Sequence, residues 1–263
     1  MLEAALLGIV EGLTEFLPVS STGHLILVGW LIDFNGPPGK VFEVVIQLGA
    51  ILAICALYFT RLLKVVLDLP RRPEARRFVL SILVAFLPAV VLGVTLHGYI
   101  KAVLFSPWVV VVALVTGGIA ILLIERLAIE PRHHSAEALP IGTALRIGLC
   151  QTLAMVPGVS RSGATILGAV VMGVDRRAAA EFSFFLAIPT MLGATVYDLY
   201  KNHGALDPGD FWLMAAGFAM ALLTALVVVR ALLAFLARHS FEVFGWYRIV
   251  LGLVMAVALL AGS

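Results

Sequence analysis

Charge is scarce in this chain. The 18 Lys and Arg residues and 16 Asp and Glu residues together make up 13% of 263 residues, whereas 62% are hydrophobic. Because a soluble domain carries roughly 25% charged residues, this composition excludes a soluble globular protein. The formal net charge is only +2. No basic cluster interleaves with aromatic residues, so a nucleic-acid partner is not expected.

Cysteine is also scarce. Cys55 and Cys150 each lie in an apolar stretch, with no second Cys or His at a spacing typical of metal ligands. We expect both to be small hydrophobic core residues. A basic segment is missing before the apolar residues 4–10, and we therefore expect the first residues to belong to the mature fold rather than to a signal peptide.

Long apolar stretches dominate what remains. A helix rises about 1.5 Å per residue and must cover about 30 Å of hydrocarbon, so a crossing needs roughly 20 residues. Six stretches qualify: residues 41–59, 78–100, 102–124, 182–197, 211–229 and 243–262. The last of them carries a single charge, Arg248. The sequence therefore predicts an all-α integral membrane protein with six crossings.

Two further apolar stretches, residues 4–32 and 138–173, are interrupted near their middle by Pro, Gly and Ser at residues 17–23 and 156–163. Each half is too short to cross. Unpaired backbone groups in hydrocarbon cost several kcal/mol each, so the breaks must be buried in protein or line a wet cavity. We expect two re-entrant broken hairpins, giving ten helices in all. The alternative is a single helix kinked at Pro18 or Pro157.

An internal repeat relates the two breaks. Residues 11–27 align without gaps to residues 151–167, and six of the seventeen positions are identical. Both breaks contain the pattern V-S-x-[ST]-G. The single membrane domain, residues 1–263, then divides into repeats 1–135 and 136–263. A hairpin returns to its own side and three crossings follow, so the second repeat is expected to be inverted. Inverted repeats bring two broken segments together near the midplane.

Basic residues predict the orientation, because cytoplasmic loops are enriched in Lys and Arg. One face holds only Lys40, Lys101 and Lys201. The other face holds twelve basic residues: Arg61, Lys64, Arg71, Arg72, Arg76, Arg77, Arg126, Arg132, Arg176, Arg177, Arg230 and Arg238. The richer face is expected to be cytoplasmic, which places both termini and the mouth of the first hairpin in the periplasm.

Glu11 and Glu15 share one helical face that leads into the first break. At about 6 Å and an effective dielectric constant near 20, two carboxylates repel each other by roughly 3 kcal/mol. Either they share a proton, or a divalent cation or Arg161 neutralises them. If the helix end is wet, both are simply hydrated. Carboxylates at membrane depth are functional by default.

His24 and a group of hydroxyls flank the breaks. His24 begins a short helix whose free N–H groups favour the neutral ring, so it can act as a base or nucleophile, or it is a packed polar residue. Six hydroxyls are candidates for helix N-caps, and we expect two of them to be caps. They are Ser20, Ser21, Thr22, Ser160, Ser162 and Thr165.

Arg161 lies in the second break, between glycines and before a helix N-terminus, which is a ready anion site. Its planar guanidinium matches phosphate oxygens. The alternative is a structural ion pair with Glu11 or Glu15. Carboxylates, a His and hydroxyls facing an Arg suit hydrolysis of a phosphate ester or anhydride on a lipid.

Two segments resemble a known family. E-G-L-T-E-F-L-P-V-S-S-T-G-H at residues 11–24 and P-G-V-S-R-S-G-A-T at residues 157–165 look like the two signatures of undecaprenyl-diphosphate phosphatases of the bacitracin-resistance type. The resemblance runs over essentially the whole chain and includes E-F-S-F-F-L-A-I-P at residues 181–189. It implies a bacterial inner-membrane hydrolase that removes the terminal phosphate from the lipid carrier of peptidoglycan synthesis and gives bacitracin resistance.

The resemblance also implies site residues. Together with the residue patterns above, it gives catalytic residues Glu11, Glu15, Ser21, His24 and Arg161, and phosphate-binding residues Ser20, Ser160, Arg161, Ser162 and Thr165. Glu11 and Glu15 are the expected ligands of a divalent cation, usually Mg²⁺. The nucleophile stays open between Ser21, His24 and water. The expected partners are the isoprenyl diphosphate and membrane lipids, and a homodimer stays open.

Two rival functions are weighed against this one. A lipid-carrier flippase also fits inverted repeats with broken helices, but it would not need a Glu pair and a His facing the Arg. The second rival is another type of lipid phosphatase, the soluble-core type, whose motifs are P-S-G-H and S-R-x-x-x-x-x-H-x-x-x-D. Residues 21–24 and 160–161 resemble parts of these motifs. This rival is rejected because no His or Asp follows Arg161 before Asp175.

Overall fold

The computed structural model describes residues 1–34, 36–37, 41–103, 106–202 and 210–261; within α-helices, it leaves out the side chains of residues 96–103, 198–199 and 201–202. This part of the chain contains eleven α-helices and no β-strand, which confirms the all-α prediction for it. The helices are α1 Leu2–Thr14, α2 Ser21–Leu31, α3 Val41–Leu57, α4 Phe59–Asp68, α5 Pro73–Val103, α6 Pro107–Arg126, α7 Ile141–Gln151, α8 Arg161–Val171, α9 Arg176–Asn202, α10 Phe211–Leu236 and α11 Glu242–Ala261.

Five helices, α5, α6, α9, α10 and α11, are long and apolar enough to cross a membrane, and α3 with α4 makes a sixth candidate that bends by 70°. The six predicted crossings fit this result. One boundary was wrong: Ala102 and Val103 continue α5, and the next crossing begins at Pro107. Proline suits the first turn of a helix, where its missing N–H leaves no hydrogen bond unmade.

Helix α4 raises the number of α-helices in the described residues to eleven, one more than the ten predicted. It follows α3 after a single residue, Tyr58, and none of its residues is buried. Phe59, Leu63 and Val66 are exposed apolar residues on this short helix, which also carries Arg61 and Lys64. Such an amphipathic helix is typical of the membrane interface rather than of a crossing.

The two shorter apolar stretches form two helices each. Helices α1 and α2 pack together, as do α7 and α8, and none exceeds 13 residues. Thirteen residues cover about 20 Å, less than the hydrocarbon thickness. Ser20 and Ser160 leave helical geometry with φ of 71° and 75°. A broken hairpin therefore replaces the single kinked helix at both positions.

Close packing through glycine seats both hairpins in the bundle. A Cβ at Gly8 of α1 would lie 2.2 Å from the carbonyl oxygen of Gly217 in α10. A Cβ at Gly148 of α7 would lie 2.2 Å from the carbonyl oxygen of Ala85 in α5. Small residues let helix backbones approach this closely. Positions 8 and 148 differ by 140, as do positions 20 and 160 in the breaks, so equivalent residues make equivalent contacts.

Ion pairs gather at one end of the bundle. Arg61 of α4 pairs with Glu137 at 2.5 Å and with Glu181 of α9 at 2.7 Å. Arg176, the first residue of α9, pairs with Glu125 near the end of α6. The ends of α4, α6 and α9 therefore share a side, which is the side to which the sequence assigned the twelve basic residues.

Candidate active site

The two breaks touch each other inside the bundle. The Ser162 hydroxyl of the second break lies 2.8 Å from the carbonyl oxygen of Leu17 in the first break and 3.1 Å from that of Glu15 at the end of α1. Phe16 packs edge to face on Phe184 of α9, with ring centroids 5.4 Å apart. The segments that were expected to meet are thus in direct contact.

Ser20 and Ser160 cap the helices that follow the breaks. The Ser20 hydroxyl accepts from the Gly23 amide at 3.4 Å, and the Ser160 hydroxyl accepts from the Gly163 amide at 3.1 Å. These two equivalent residues are the two caps expected among the six hydroxyls. A positive φ on a residue other than glycine is strained, and such strain concentrates at functional sites.

Glu15 connects the two halves of the site. Its Oε1 lies 3.0 Å from Nη2 of Arg161, and its Oε2 accepts from the Ser21 hydroxyl at 2.5 Å. Both Glu15 and Ser21 are buried. The ion pair anticipated as an alternative role for Arg161 is therefore present. The same carboxylate also holds a serine hydroxyl, the arrangement of a nucleophile beside a base.

Arg161 has two of its guanidinium nitrogens bonded to protein and a third, Nε, without a partner in the part of the chain that the structure describes. Its Nη1 donates to the carbonyl oxygen of Ser183 at 3.0 Å, and Nη2 also lies 3.2 Å from the sulfur of Met191. Within the described residues, Nε has no hydrogen-bond partner. A buried donor left unpaired is costly, so a bound anion would relieve that cost.

Glu11 is fully buried, at 0% exposed, and no N–H or O–H group in the described part of the chain donates to its carboxylate oxygens. Glu15 acts on it through its charge and is close enough for a side-chain hydrogen bond if the two carboxyls share a proton, whereas Arg161 and Glu43 act through their charges. The wet helix end that would hydrate both carboxylates is therefore absent around Glu11. No group of three or more His, Cys, Asp or Glu residues able to hold a metal is found in the part of the chain that the structure describes.

A magnesium ion does not need three such protein ligands. Mg²⁺ is usually held by one or two carboxylates together with substrate phosphates and water. Glu11 supplies one carboxylate with two unpaired oxygens and so meets that requirement, while the adjacent Glu15 already contacts Arg161 and Ser21. The residues therefore fit the expected cation.

His24 faces a residue that sequence reasoning missed. Its Nδ1 lies 2.8 Å from the carbonyl oxygen of Ser20, and its Nε2 lies 2.6 Å from the Tyr247 hydroxyl of α11. A carbonyl only accepts, so Nδ1 carries the proton and, in the neutral ring, Nε2 accepts from Tyr247. Both ring nitrogens are occupied, and neither bonds to Glu15 or Ser21.

Ser162 and Thr165 are fully buried and bonded to protein. The Thr165 hydroxyl lies 2.9 Å from the carbonyl oxygen of Arg161 and 2.7 Å from the hydroxyl of Ser183, while Ser160 and Ser162 contact each other at 3.1 Å. Ser183 therefore contacts both Arg161 and Thr165, although the sequence did not single it out. Phosphate binding by Ser160, Ser162 and Thr165 stays a prediction.

An apolar cavity of about 440 Å³ reaches Arg161 from the side, between α5, α7 and α9. Its wall includes Phe86, Val90 and Met155, and its polar lining includes Gln151 beside Arg161. The amide nitrogen of Gln151 has no hydrogen-bond partner among the described residues. The cavity suits a ligand with an apolar chain and an anionic end.

Comparison with known proteins agrees with this geometry. The family model described as "Bacitracin resistance protein BacA" matches residues 4–254. The chain belongs to the BacA family. It is 59% identical to the undecaprenyl-diphosphatase of Parvibaculum lavamentivorans over 256 residues, covering 97% of this chain and 96% of that protein.

Two more members of the BacA family extend the comparison. The undecaprenyl-diphosphatase 2 of Paramagnetospirillum magneticum is 56% identical over 260 residues, or 99% of both chains. The undecaprenyl-diphosphatase of Rhodopseudomonas palustris is 52% identical over 263 residues, covering 100% of this chain and 98% of that protein. The family resemblance drawn from the two motifs is thereby confirmed.

Proposed function

We propose that this chain is an undecaprenyl-diphosphatase, a hydrolase that converts undecaprenyl diphosphate and water to undecaprenyl phosphate and inorganic phosphate. The reaction recycles the lipid carrier of peptidoglycan synthesis and gives bacitracin resistance. Membership of the BacA family supports the activity. The observation that carries it is Glu15, whose two oxygens contact Ser21 of one break and Arg161 of the other.

Arg161 binds the phosphate oxygens in this proposal. A bound phosphate would give the unpaired Nε a hydrogen-bond partner. The Ser183 carbonyl and Glu15 hold the guanidinium in place before the substrate binds. Preorganised charge of this kind stabilises the charge that spreads over phosphate oxygens in the transition state. Ser20, Ser160, Ser162 and Thr165 are the further phosphate-binding candidates.

Ser21 is the proposed nucleophile, and Glu15 its base. The Ser21 oxygen forms a bond to the terminal phosphorus, its proton passes to Glu15, and the bond to the bridging oxygen breaks as the lipid phosphate leaves. Water then attacks this phosphorus and the bond to the Ser21 oxygen breaks. Ser21 regains its proton from Glu15, and the protons of the water stay with the released inorganic phosphate. His24 is disfavoured as the attacking group because both its ring nitrogens are engaged by Ser20 and Tyr247.

Glu11 and Glu15 would hold a divalent cation, expected to be Mg²⁺. When bound, such an ion neutralises phosphate charge and polarises the phosphorus–oxygen bonds. The isoprenyl tail would lie in the apolar cavity between α5, α7 and α9, with the diphosphate towards Arg161.

The proposed setting is the bacterial inner membrane, with the site open to the periplasm and both termini on that side. An inverted repeat accounts for the matched contacts of Gly8 and Gly148 and for the matched caps Ser20 and Ser160.

Phosphate release by the purified protein in detergent tests the proposed activity. A detergent micelle has no two separate compartments between which a lipid could be moved. An enzyme therefore releases phosphate in detergent, whereas a flippase does not. We expect stoichiometric release of inorganic phosphate and undecaprenyl phosphate, and Ser21→Ala should abolish it. Acid quenching with a terminally labelled substrate should trap label on Ser21. Silence of the folded wild-type protein would contradict the proposal.

A further inference from the structure

Arg248 is a buried cation in α11, 1% exposed, and no carboxylate pairs with it in the residues that the structure describes. Its five donor contacts all go to backbone carbonyl oxygens, and a guanidinium has five N–H groups. The acceptors and distances are Val159 2.9 Å, Ala113 2.9 Å, Gly158 3.0 Å, Pro18 3.2 Å and Leu114 3.4 Å.

These carbonyls belong to three separate parts of the chain. Pro18 lies in the first break and Gly158 and Val159 lie in the second, so Nη1 alone bridges the two breaks. Ala113 and Leu114 belong to α6, which fixes the guanidinium to a helix outside both hairpins. One planar group therefore sets the spacing of both breaks against a common support.

Gly117 leaves space for this group. A Cβ at Gly117 of α6 would lie 2.2 Å from Nη2 and 2.7 Å from Cζ of Arg248. A side chain at position 117 therefore requires the guanidinium of Arg248, or α6 itself, to move. Gly117 and Arg248 thus form one structural unit.

We propose that Arg248 is a positioning residue for hydrolysis: it holds the break that carries Ser21 in register with the break that carries Arg161. This inference rests on the proposed function. Its physical basis is that Glu15 and Ser21 come from one repeat and Arg161 from the other, so productive geometry depends on the spacing of the breaks. A misplacement of about 1 Å can cost roughly 100-fold in rate.

Two substitutions disturb the contact between Gly117 and Arg248, one at each residue. Arg248→Lys keeps the charge but replaces a five-donor fork with a single ammonium that cannot reach all five carbonyls. Gly117→Ala keeps Arg248 and displaces its guanidinium. Gly142→Ala in α7 is the matched control for the glycine, because a Cβ there meets nothing within 4 Å. Arg230→Lys on the exposed surface of α10 is the control for the arginine.

The measurements are kcat and KM per folded molecule in detergent, well below the melting temperature of each variant. We expect kcat to fall by at least about 10-fold in Arg248→Lys and in Gly117→Ala with KM little changed, and both controls to match the wild type. In an Arg161→Lys background, Arg248→Lys should cost less than it does alone, because the group it aligns is already altered.

A merely structural role gives other results. The variants would then melt earlier but keep wild-type kcat once folded, or the losses in the double variant would multiply. Either result overturns the inference, and if Arg248→Lys fails to fold, Gly117→Ala decides alone. If the folded wild-type protein released no phosphate, that result would instead contradict the proposed function.

Discussion

The Glu15 carboxylate contacts side chains of both breaks, Ser21 in the first and Arg161 in the second. A carboxylate that accepted only from Arg161 would be a structural ion pair, and one that accepted only from Ser21 would be an isolated base. The structure shows both contacts on one side chain, at 3.0 Å and 2.5 Å. Because proton transfer and charge movement both pass through this group in the proposed reaction, its loss should affect the chemical step more than binding.

Glu15→Gln should lower kcat by about 10²–10³-fold, since the amide cannot take the Ser21 proton while its shape is kept. KM should change much less. Steady-state kinetics on the purified variant measure both values, with Glu3→Gln at the exposed start of α1 as the control. A variant with wild-type kcat and only a raised KM would show Glu15 to be a plain binding or structural group.

Arg161→Lys separates a phosphate ligand from an ion-pair partner. Lysine can still reach Glu15, so an ion-pair role predicts an active variant. Loss of the planar fork, which also donates to the Ser183 carbonyl, predicts a folded variant with little activity. Activity and melting temperature should be measured beside those of Arg161→Ala. A nearly active Lys variant, or an Ala variant inactive only because it unfolds, would remove Arg161 from the catalytic set.

At the scale of elements, the sequence predicted those features that interrupt a regular pattern. Pro, Gly and Ser at both breaks indicated broken hairpins, and the structure shows them. The bend at Tyr58 had no such signal, because Leu57, Tyr58 and Phe59 read as the end of one apolar run. Tyr247 and Arg248 lie on a crossing far from either motif, so only folding brings them to the breaks. The lone charge of Arg248 in an apolar stretch was the available signal.

Packing of the second hairpin offers an element-scale test. Gly148→Ala places a methyl group 2.2 Å from the Ala85 carbonyl and should destabilise the protein by about 1–3 kcal/mol through overpacking. Gly142→Ala lies in the same helix with open space around it and should be neutral or slightly stabilising. Thermal unfolding in detergent compares the pair. Equal melting temperatures would show that α7 does not pack tightly on α5.

At the scale of the molecule, the two broken hairpins contribute different groups to the candidate site. The first contributes Glu11, Glu15 and Ser21, and the second contributes Arg161, so carboxylates of one hairpin lie beside the guanidinium of the other. Residue 151, which aligns with Glu11, is Gln. The two hairpins therefore differ in charge at this position. A second carboxylate at position 151 would repel Glu11 and Glu15 and also the diphosphate.

The ion pairs also bear on the orientation of the protein in the membrane. Arg61 and Arg176 lie at one end of the bundle with their acidic partners. If that end is cytoplasmic, an even number of crossings leaves both termini in the periplasm. A fluorescent protein that matures only in the cytoplasm should therefore stay dark when fused after Ser263, while a periplasm-active phosphatase at the same position should be active. Bright fluorescence from an intact, membrane-inserted fusion would reverse the orientation, and the proposed site would then open to the cytoplasm.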